Sequence, residues 1–408
     1  MNQRYKRRQF LTQLSAASGV MAFGATAPQV LCHAAAAGGD KDRVLVVVEM
    51  AGGNDGLNSV IPHSDPAYKK ARPKLGISKA ACLPIDNEVG LHPAMTGFAE
   101  LLEQNRFGVI QGVGYENPNR SHFESMDIWH SCLRKNQARD DGWIGRYLQA
   151  NGAITSGDPA ALHLGADKQP FALTSRDVRV PSIQSLDEFR LLDNGSVDLR
   201  KAIGNTTAAQ SSAANELLGF VQQSTTSAVE ASDRLESAGM QYKPAKKFPN
   251  SGLGKKLGTV AKLIAGGIKS TIYYVQIDGF DTHANQPDAH AALLRQVSDS
   301  VSSLITDLNQ QGHGDRVMVM CFSEFGRRVA ENASDGTDHG TAGPIFLAGN
   351  AVRSGLIGKH PSLTDLDQGD LKFHTDFRAV YASVLENWLG CESESILGGR
   401  FDPVSILA

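Results

Sequence analysis

Residues Val317 to Gly349 read VMVMCFSEFGRRVAENASDGTDHGTAGPIFLAG. The run from Val317 to Phe322 is apolar throughout, the pattern of a strand covered on both faces. At its carboxyl end stand Ser323, Glu324, Phe325, Gly326 and Arg327, a carboxylate near a guanidinium on a tight turn. That edge of an open α/β sheet is where ligands bind. A loop rich in Gly, Asp and Asn follows, then Asp338-His339-Gly340, then a second apolar run from Pro344 to Ala348. Two strand ends would thus bring Glu324, Arg327, Asp338 and His339 to one rim. Their oxygen and imidazole donors suit a divalent cation beside an anion-binding arginine. An acidic surface loop with one solvated histidine is the plainer reading of the same residues.

Three further stretches repeat the pattern of apolar run followed by polar turn. Arg43 to Met50, RVLVVVEM, reads as a central parallel strand. The turn after it, Ala51 to Asn58, offers Asn54, Asp55 and Asn58 to a shared site, although Asn-Asp-Gly is also ordinary turn chemistry. Its glycines do not form GxGxxG, so a dinucleotide cradle is not indicated. The second run, Phe107 to Gly112, leads to Ser121 at the start of a helix, with Glu124 three residues on. The pair reads as a capping box, and a serine so placed is also where a nucleophile would stand. The third run, Thr271 to Ile277, is followed by DGFDTHANQ, in which Asp281 and His283 can share a metal if the backbone turns between them.

Helical spacing predicts helices over Met95 to Gln104, Lys255 to Ile268 and Ala289 to Gln310, with His290 on the exposed side of the last. His92 reads as a packing or capping residue, Asp376 as the N-cap of a terminal helix that stops at Gly390, and His374 as a further ligand candidate. From Val197 to about 251 the chain is rich in Ala, Ser, Thr and Gln, which suggests a helical insertion that caps the site.

The chain has 408 residues and 41% hydrophobic content, enough for a substantial core. Residues 1–36 resemble a twin-arginine export signal, built on Arg7-Arg8-Gln9-Phe10-Leu11 and an apolar segment too short and interrupted for a permanent membrane span. This implies the export machinery as a partner and a periplasmic or otherwise exported location, with 37–408 as a single α/β domain. Without Arg4, Lys6, Arg7 and Arg8 the mature chain is acidic, 36 basic against 43 acidic residues, which argues against nucleic acid. Cys82, Cys132, Cys321 and Cys391 form no CxxC pair, so zinc ribbons and dithiol redox motifs are disfavoured.

Together the motifs AGGNDGLNSVIP from Ala51, NPNRSHF from Asn117, GFDTHANQ from Gly279, SEFGRR from Ser323, GTDHG from Gly336 and DFRAVYASVLENWLG from Asp376 resemble domain-of-unknown-function family 1501. That family belongs to the alkaline phosphatase and sulfatase superfamily. The resemblance implies a mostly parallel central sheet with helices on both faces. It also implies metal ligands and a nucleophile at the strand ends, and hydrolysis of a phosphate or sulfate ester of a small molecule or glycan. By resemblance, Asp55 or Asn54 takes the first-strand ligand position, Ser121 the nucleophile position, and Asp281 with His283 one metal site. Two alignments compete for the central stretch. Asp338-His339-Gly340 matches the superfamily's Asp-His-Gly, or Ser323 to Gly326 takes that place and His339 matches a later histidine. The second is preferred; it replaces one metal-binding histidine by Phe325. The ion implied is Zn, Mn, Mg or Ca. A scaffold of this type that has lost catalysis and serves binding or assembly in the cell envelope is the alternative.

Overall fold

A computed structural model describes residues 42–151, 158–165, 168–184 and 242–408. The leader and most of the insertion lie outside these; residues 242–251 are irregular chain. The central sheet has nine strands: β1 (Val44–Met50), β2 (Phe107–Gly114), β3 (Ala161–Leu164), β4 (Ser182–Ile183), β5 (Ile272–Ile277), β6 (Val317–Phe322), β7 (Gly343–Ala348), β8 (Gly355–Ile357) and β9 (Thr375–Asp376). Their order is β8-β2-β7-β6-β1-β5-β3-β4, with β9 beside β2. Only β7 runs against the rest, antiparallel to both β6 and β2. The α/β, mostly parallel sheet read from the sequence is therefore the one observed.

The alternation of β1 explains why both faces are covered. Val44, Val46, Val48 and Met50 join one apolar cluster, with α1 (Thr96–Glu103), α4 (Gly252–Ala265) and α5 (Gln286–Gln310). Leu45 and Val47 join the other, with α2 (His122–Ser131), α3 (Trp143–Asn151) and α6 (Phe377–Ser383). Cys321 is one of the buried apolar side chains of β6. Asp376 caps α6 through the Arg378 amide, and the helical stretch closes before Gly390 at φ +71°. The four cysteines among the described residues are free. No helix among the described residues is long and apolar enough to cross a membrane.

Two local readings are corrected. Ser121 precedes α2 but its side chain makes no cap hydrogen bond, and Glu124 pairs instead with Arg139 at 2.7 Å. His290 is buried, not exposed, because the loop after β1 packs over the first turns of α5: Asn54 Oδ1 lies 2.9 Å from its Nε2. His92 behaves as expected, accepting the Ala94 amide at Nδ1.

Candidate metal centre

Four loops meet at the carboxyl edge of the sheet. The loop after β5 brings Asp281 and His283. The excursion between β6 and β7 folds back on itself, with Arg327 and His339 forming an antiparallel bridge and Gly326 donating to the Thr341 carbonyl. This doubling back brings Glu324 and His339 both to His122, the first as its hydrogen-bond partner and the second against its ring. The start of α2 adds His122. The loop after β1 comes close through Gly52 and Gly53, whose φ values of +116° and +76° few other residues adopt. A Cβ on Gly52 would strike the backbone of Phe280 and Asp281, and one on Gly53 the Phe325 ring.

Asp281 Oδ1 is the centre of the cluster. Nε2 of His283 lies 3.0 Å away, Nε2 of His339 3.2 Å and Nε2 of His122 3.4 Å. The Nε2 atoms of His283 and His339 are 2.9 Å apart. The other ring nitrogen of each histidine faces an oxygen: His122 Nδ1 the Glu324 carboxylate at 2.7 Å, His339 Nδ1 the Arg120 carbonyl at 2.8 Å, His283 Nδ1 the Asp338 carboxylate at 3.3 Å. An oxygen acceptor at Nδ1 holds the proton there, so each neutral imidazole turns an Nε2 lone pair inward. The three Nε2 atoms gather about Asp281 Oδ1, where Arg327 also reaches: its Nη2 donates to Asp281 and its Nη1 lies 3.5 Å from His283 Nε2. Ligands about 2.0 to 2.1 Å from a tetrahedral ion stand roughly 3.3 Å apart, close to the 3.2 and 3.4 Å from Asp281 to His339 and His122. His122 Nε2 is buried and without a hydrogen-bond partner, its contact with Asp281 lying off the line of a hydrogen bond. Ligand atoms of His122, Asp281 and His339 all lie within 4.8 Å of one another. These three residues fit a single divalent ion; His283, 2.9 Å from His339 Nε2, stands outside that set.

The charges agree. Burial pushes the Asp281 carboxyl up, but the hydrogen bond and the charge of Arg327 outweigh it and hold the pKa down at about 2. The hydrogen bond to Glu324 raises His122. Burial lowers His339. Phe325 packs its ring against His122 and His339, with centroids 4.9 and 5.0 Å away.

Several expected roles are redistributed. Glu324 does not sit with the ligand atoms; it accepts from His122 and from the Gly52 amide at 2.9 Å and so orients a ligand. Asp338 does the same for His283. Arg327 is fully buried, and its donors are committed to the carbonyls of Gly52, Gly53, Phe280 and Thr337, to Asp281 at 2.7 Å and to His283 Nε2 at 3.5 Å. It ties three loops together and has no donor left for a substrate oxygen. Asn54 and Asp55 point beneath the site. Asp55 forms a two-pronged pair with buried Arg72 at 2.6 and 3.1 Å and accepts from Gln286 at 2.6 Å, while Asn54 accepts from Ser59 and His290. Ser121 is exposed. His374 lies apart, bonded to the Lys359 carbonyl and Thr375. His122 is the ligand the sequence reading missed, although it stands next to Ser121 in the quoted NPNRSHF.

Beside the cluster opens a cleft of about 800 Å³, with His122, Asp281 and Glu324 at one end and Glu49, His130 and Gln276 on its floor.

A family model described as "Protein of unknown function (DUF1501)" matches residues 42–385. The chain belongs to the DUF1501 family. No curated protein sequence matches it. Solved structures similar to this DUF1501 chain include a lipoteichoic acid synthase, LtaP, from Listeria monocytogenes, at 10% identity over 91% of this chain and 80% of that one, TM-score 0.40. A protein in the alkaline phosphatase superfamily from Vibrio parahaemolyticus is 9% identical over 98% and 78%, TM-score 0.42. The PsFucS1 sulfatase from Pseudoalteromonas sp. is 11% identical over 93% and 75%, TM-score 0.39.

Proposed function

We propose that this DUF1501 protein is an exported, metal-dependent hydrolase of a phosphate or sulfate ester. The observation that carries the reading is the convergence of the His122 and His339 Nε2 atoms on Asp281 beside a large cleft, with His283 next to them. Imidazole nitrogens with one carboxylate oxygen suit Zn or another first-row ion better than Mg or Ca, which prefer oxygen. When bound, such an ion supplies positive charge to an ester oxygen and lowers the pKa of water. The chain's own residues do the rest. Glu324, Asp338 and the Arg120 carbonyl fix the three ring orientations. Arg327 keeps Asp281 ionised, and so a ligand, at neutral pH. Ser121 stands one residue before His122 with its hydroxyl free of the cap, a nucleophile candidate at the rim.

Phe325 on the inner side of the cluster and the fully committed Arg327 favour a second reading, a cation-holding scaffold without turnover. Both are tested with purified mature protein by elemental analysis and by hydrolysis of 4-nitrophenyl phosphate and 4-nitrophenyl sulfate. Wild type should carry one ion per chain, and His122→Ala and His339→Ala should lose it together with turnover. An unchanged metal content in both variants would remove the site. One bound ion with neither ester cleaved would favour the scaffold. Ser121→Ala separates attack by the serine, which it abolishes, from direct attack by water. Cell fractionation of an Arg7→Lys, Arg8→Lys double variant, expected to stay inside, tests export.

A further inference from the structure

The floor of the cleft carries a second polar cluster that the cation site does not use. On β1, Leu45 and Val47 point into the apolar core beneath α2, and Glu49, next on the same face, is also buried. Its neighbour in register on β5 is Gln276. Gln276 Nε2 donates to Glu49 Oε1 at 2.7 Å, and the Tyr274 hydroxyl donates to Oε2. His130 Nε2 lies 2.9 Å from the same Oε2. Burial pushes the Glu49 carboxyl up, and His130 with these hydrogen bonds brings it below its ordinary value. Stability does not account for such a cluster, since apolar residues of like volume serve a core as well or better. Its position under an open cleft does.

With Nε2 given to Glu49, the His130 ring turns Nδ1 away from that carboxylate, free to bond a ligand. That atom and the Gln276 Oε1 have no protein partner among the described residues. The wall is apolar. Phe123 is 87% exposed and lines the cleft with Met126 and Phe171. A lone exposed phenylalanine is ordinary; one beside a hydrogen-bonding floor gives the cleft two chemistries. His122, Met126 and His130 recur every four residues along one face of α2 and all line the cleft. The two histidines are therefore separated by about 12 Å along the helix axis. An inorganic anion spans a small part of that length. The cleft volume sits toward the upper end of the roughly 300–1,000 Å³ typical of small-molecule sites.

We infer that the Glu49–His130–Gln276 floor and the Phe123 rim form a subsite for the alcohol portion of the ester, and that this alcohol is a sugar of two or more rings. Its hydroxyls bond to His130 and Gln276, and an apolar ring face lies on Phe123. The inference rests on the ester-hydrolase reading and supplies its substrate class. Glu49 and Tyr274 act through His130, so they are positioning residues.

Zinc-loaded mature protein, titrated calorimetrically with trehalose 6-phosphate, lactose 6-sulfate, inorganic phosphate and inorganic sulfate, tests it. At least one disaccharide ester should bind tenfold or more tightly than its own anion. Phe123→Ala, a surface change that leaves the core intact, and His130→Gln should each reduce that gain fivefold or more at wild-type zinc content. Disaccharide esters that bind no better than their anions, or a gain that survives both substitutions, would overturn the subsite. Zinc uptake and cleavage of the 4-nitrophenyl esters report the hydrolase reading separately, so a protein with both and no sugar gain refutes the subsite alone.

Discussion

Two clusters built from the same residue types lie on either side of the loop after β1. In one, Asp281 is held by buried Arg327 among His122, His283 and His339; in the other, Asp55 is held by buried Arg72, with Asn54 and His290 beside it. Both aspartates have pKa values near 2. Composition does not tell them apart; the direction of the ring protons does. His290 turns Nε2 onto Asn54 inside the protein, whereas the three histidines of the open cluster use Nδ1 for protein oxygens and keep Nε2 for the centre. Asp55 has both oxygens saturated and no exposure, while Asp281 gathers its neighbours on one oxygen and is 48% exposed. The closed cluster serves the fold, whereas the open one is the candidate cation site.

The sharpest way to break this contrast is Arg72→Met. It leaves a fully buried carboxylate without its partner, a change that typically costs about 3–5 kcal/mol. Urea unfolding should register that loss, and elemental analysis of the folded fraction should still find one ion per chain. Loss of the ion at unchanged stability would exchange the roles assigned to the two clusters.

The strands were legible because they are buried on both faces: Val317–Phe322 was found to the residue, and the other long runs to within two. The strand ends then placed Asp281, His283, Glu324 and His339 near one another. What sequence order could not supply was direction. Asn54 and Asp55 do follow a strand, but Gly52 and Gly53 turn the chain so that Asn54 meets Ser59 and His290, and Asp55 meets Arg72 and Gln286. Arg327 looked like an anion clamp because its carbonyl partners come from three separate loops. His122 was overshadowed by Ser121, for which a helix start offered a ready explanation. Its four-residue spacing to Met126 and His130 was the available signal. His290 followed the helical stripe correctly along most of α5 and failed where a loop covers the first turns.

A smaller effect sharpens the distinction between ligand and support. In Glu324→Gln one side-chain oxygen can still accept from His122 and Gly52, and the new amide can donate to Ser323 Oγ, which lies 2.9 Å from the present Oε2. Only the charge behind His122 is lost. Changes at such supporting groups typically weaken metal binding about 10- to 100-fold, and the preserved geometry places this one near tenfold. Competition with a chelator measures it. A loss as complete as that of His122→Ala would make Glu324 a direct ligand.

Acid should divide the fold's stability into two steps, and the closed cluster sets both. Burial lowers His290 and His92 to about 4, against an ordinary value of 6.5. Between these limits the unfolded chain binds protons that the folded chain refuses, so stability falls as pH drops from 6.5 to 4, by at most about 1.4 kcal/mol per pH unit for each ring. Asp55 acts lower. Burial raises its carboxyl, the Arg72 charge outweighs that, and the pKa falls from 3.8 to about 2. Its contribution is complete above 3.8 and disappears as pH falls toward 2. His92→Asn keeps an acceptor for the Ala94 amide and removes one titrating ring. Urea unfolding of chelator-treated protein at pH 7, 5.5 and 4.5 should therefore show a slope reduced by up to one proton in the variant. An unchanged slope would mean that His92 is protonated inside the fold, which would place a charge against the His290 ring 6.0 Å away and undo the account of the closed cluster as neutral and self-satisfied.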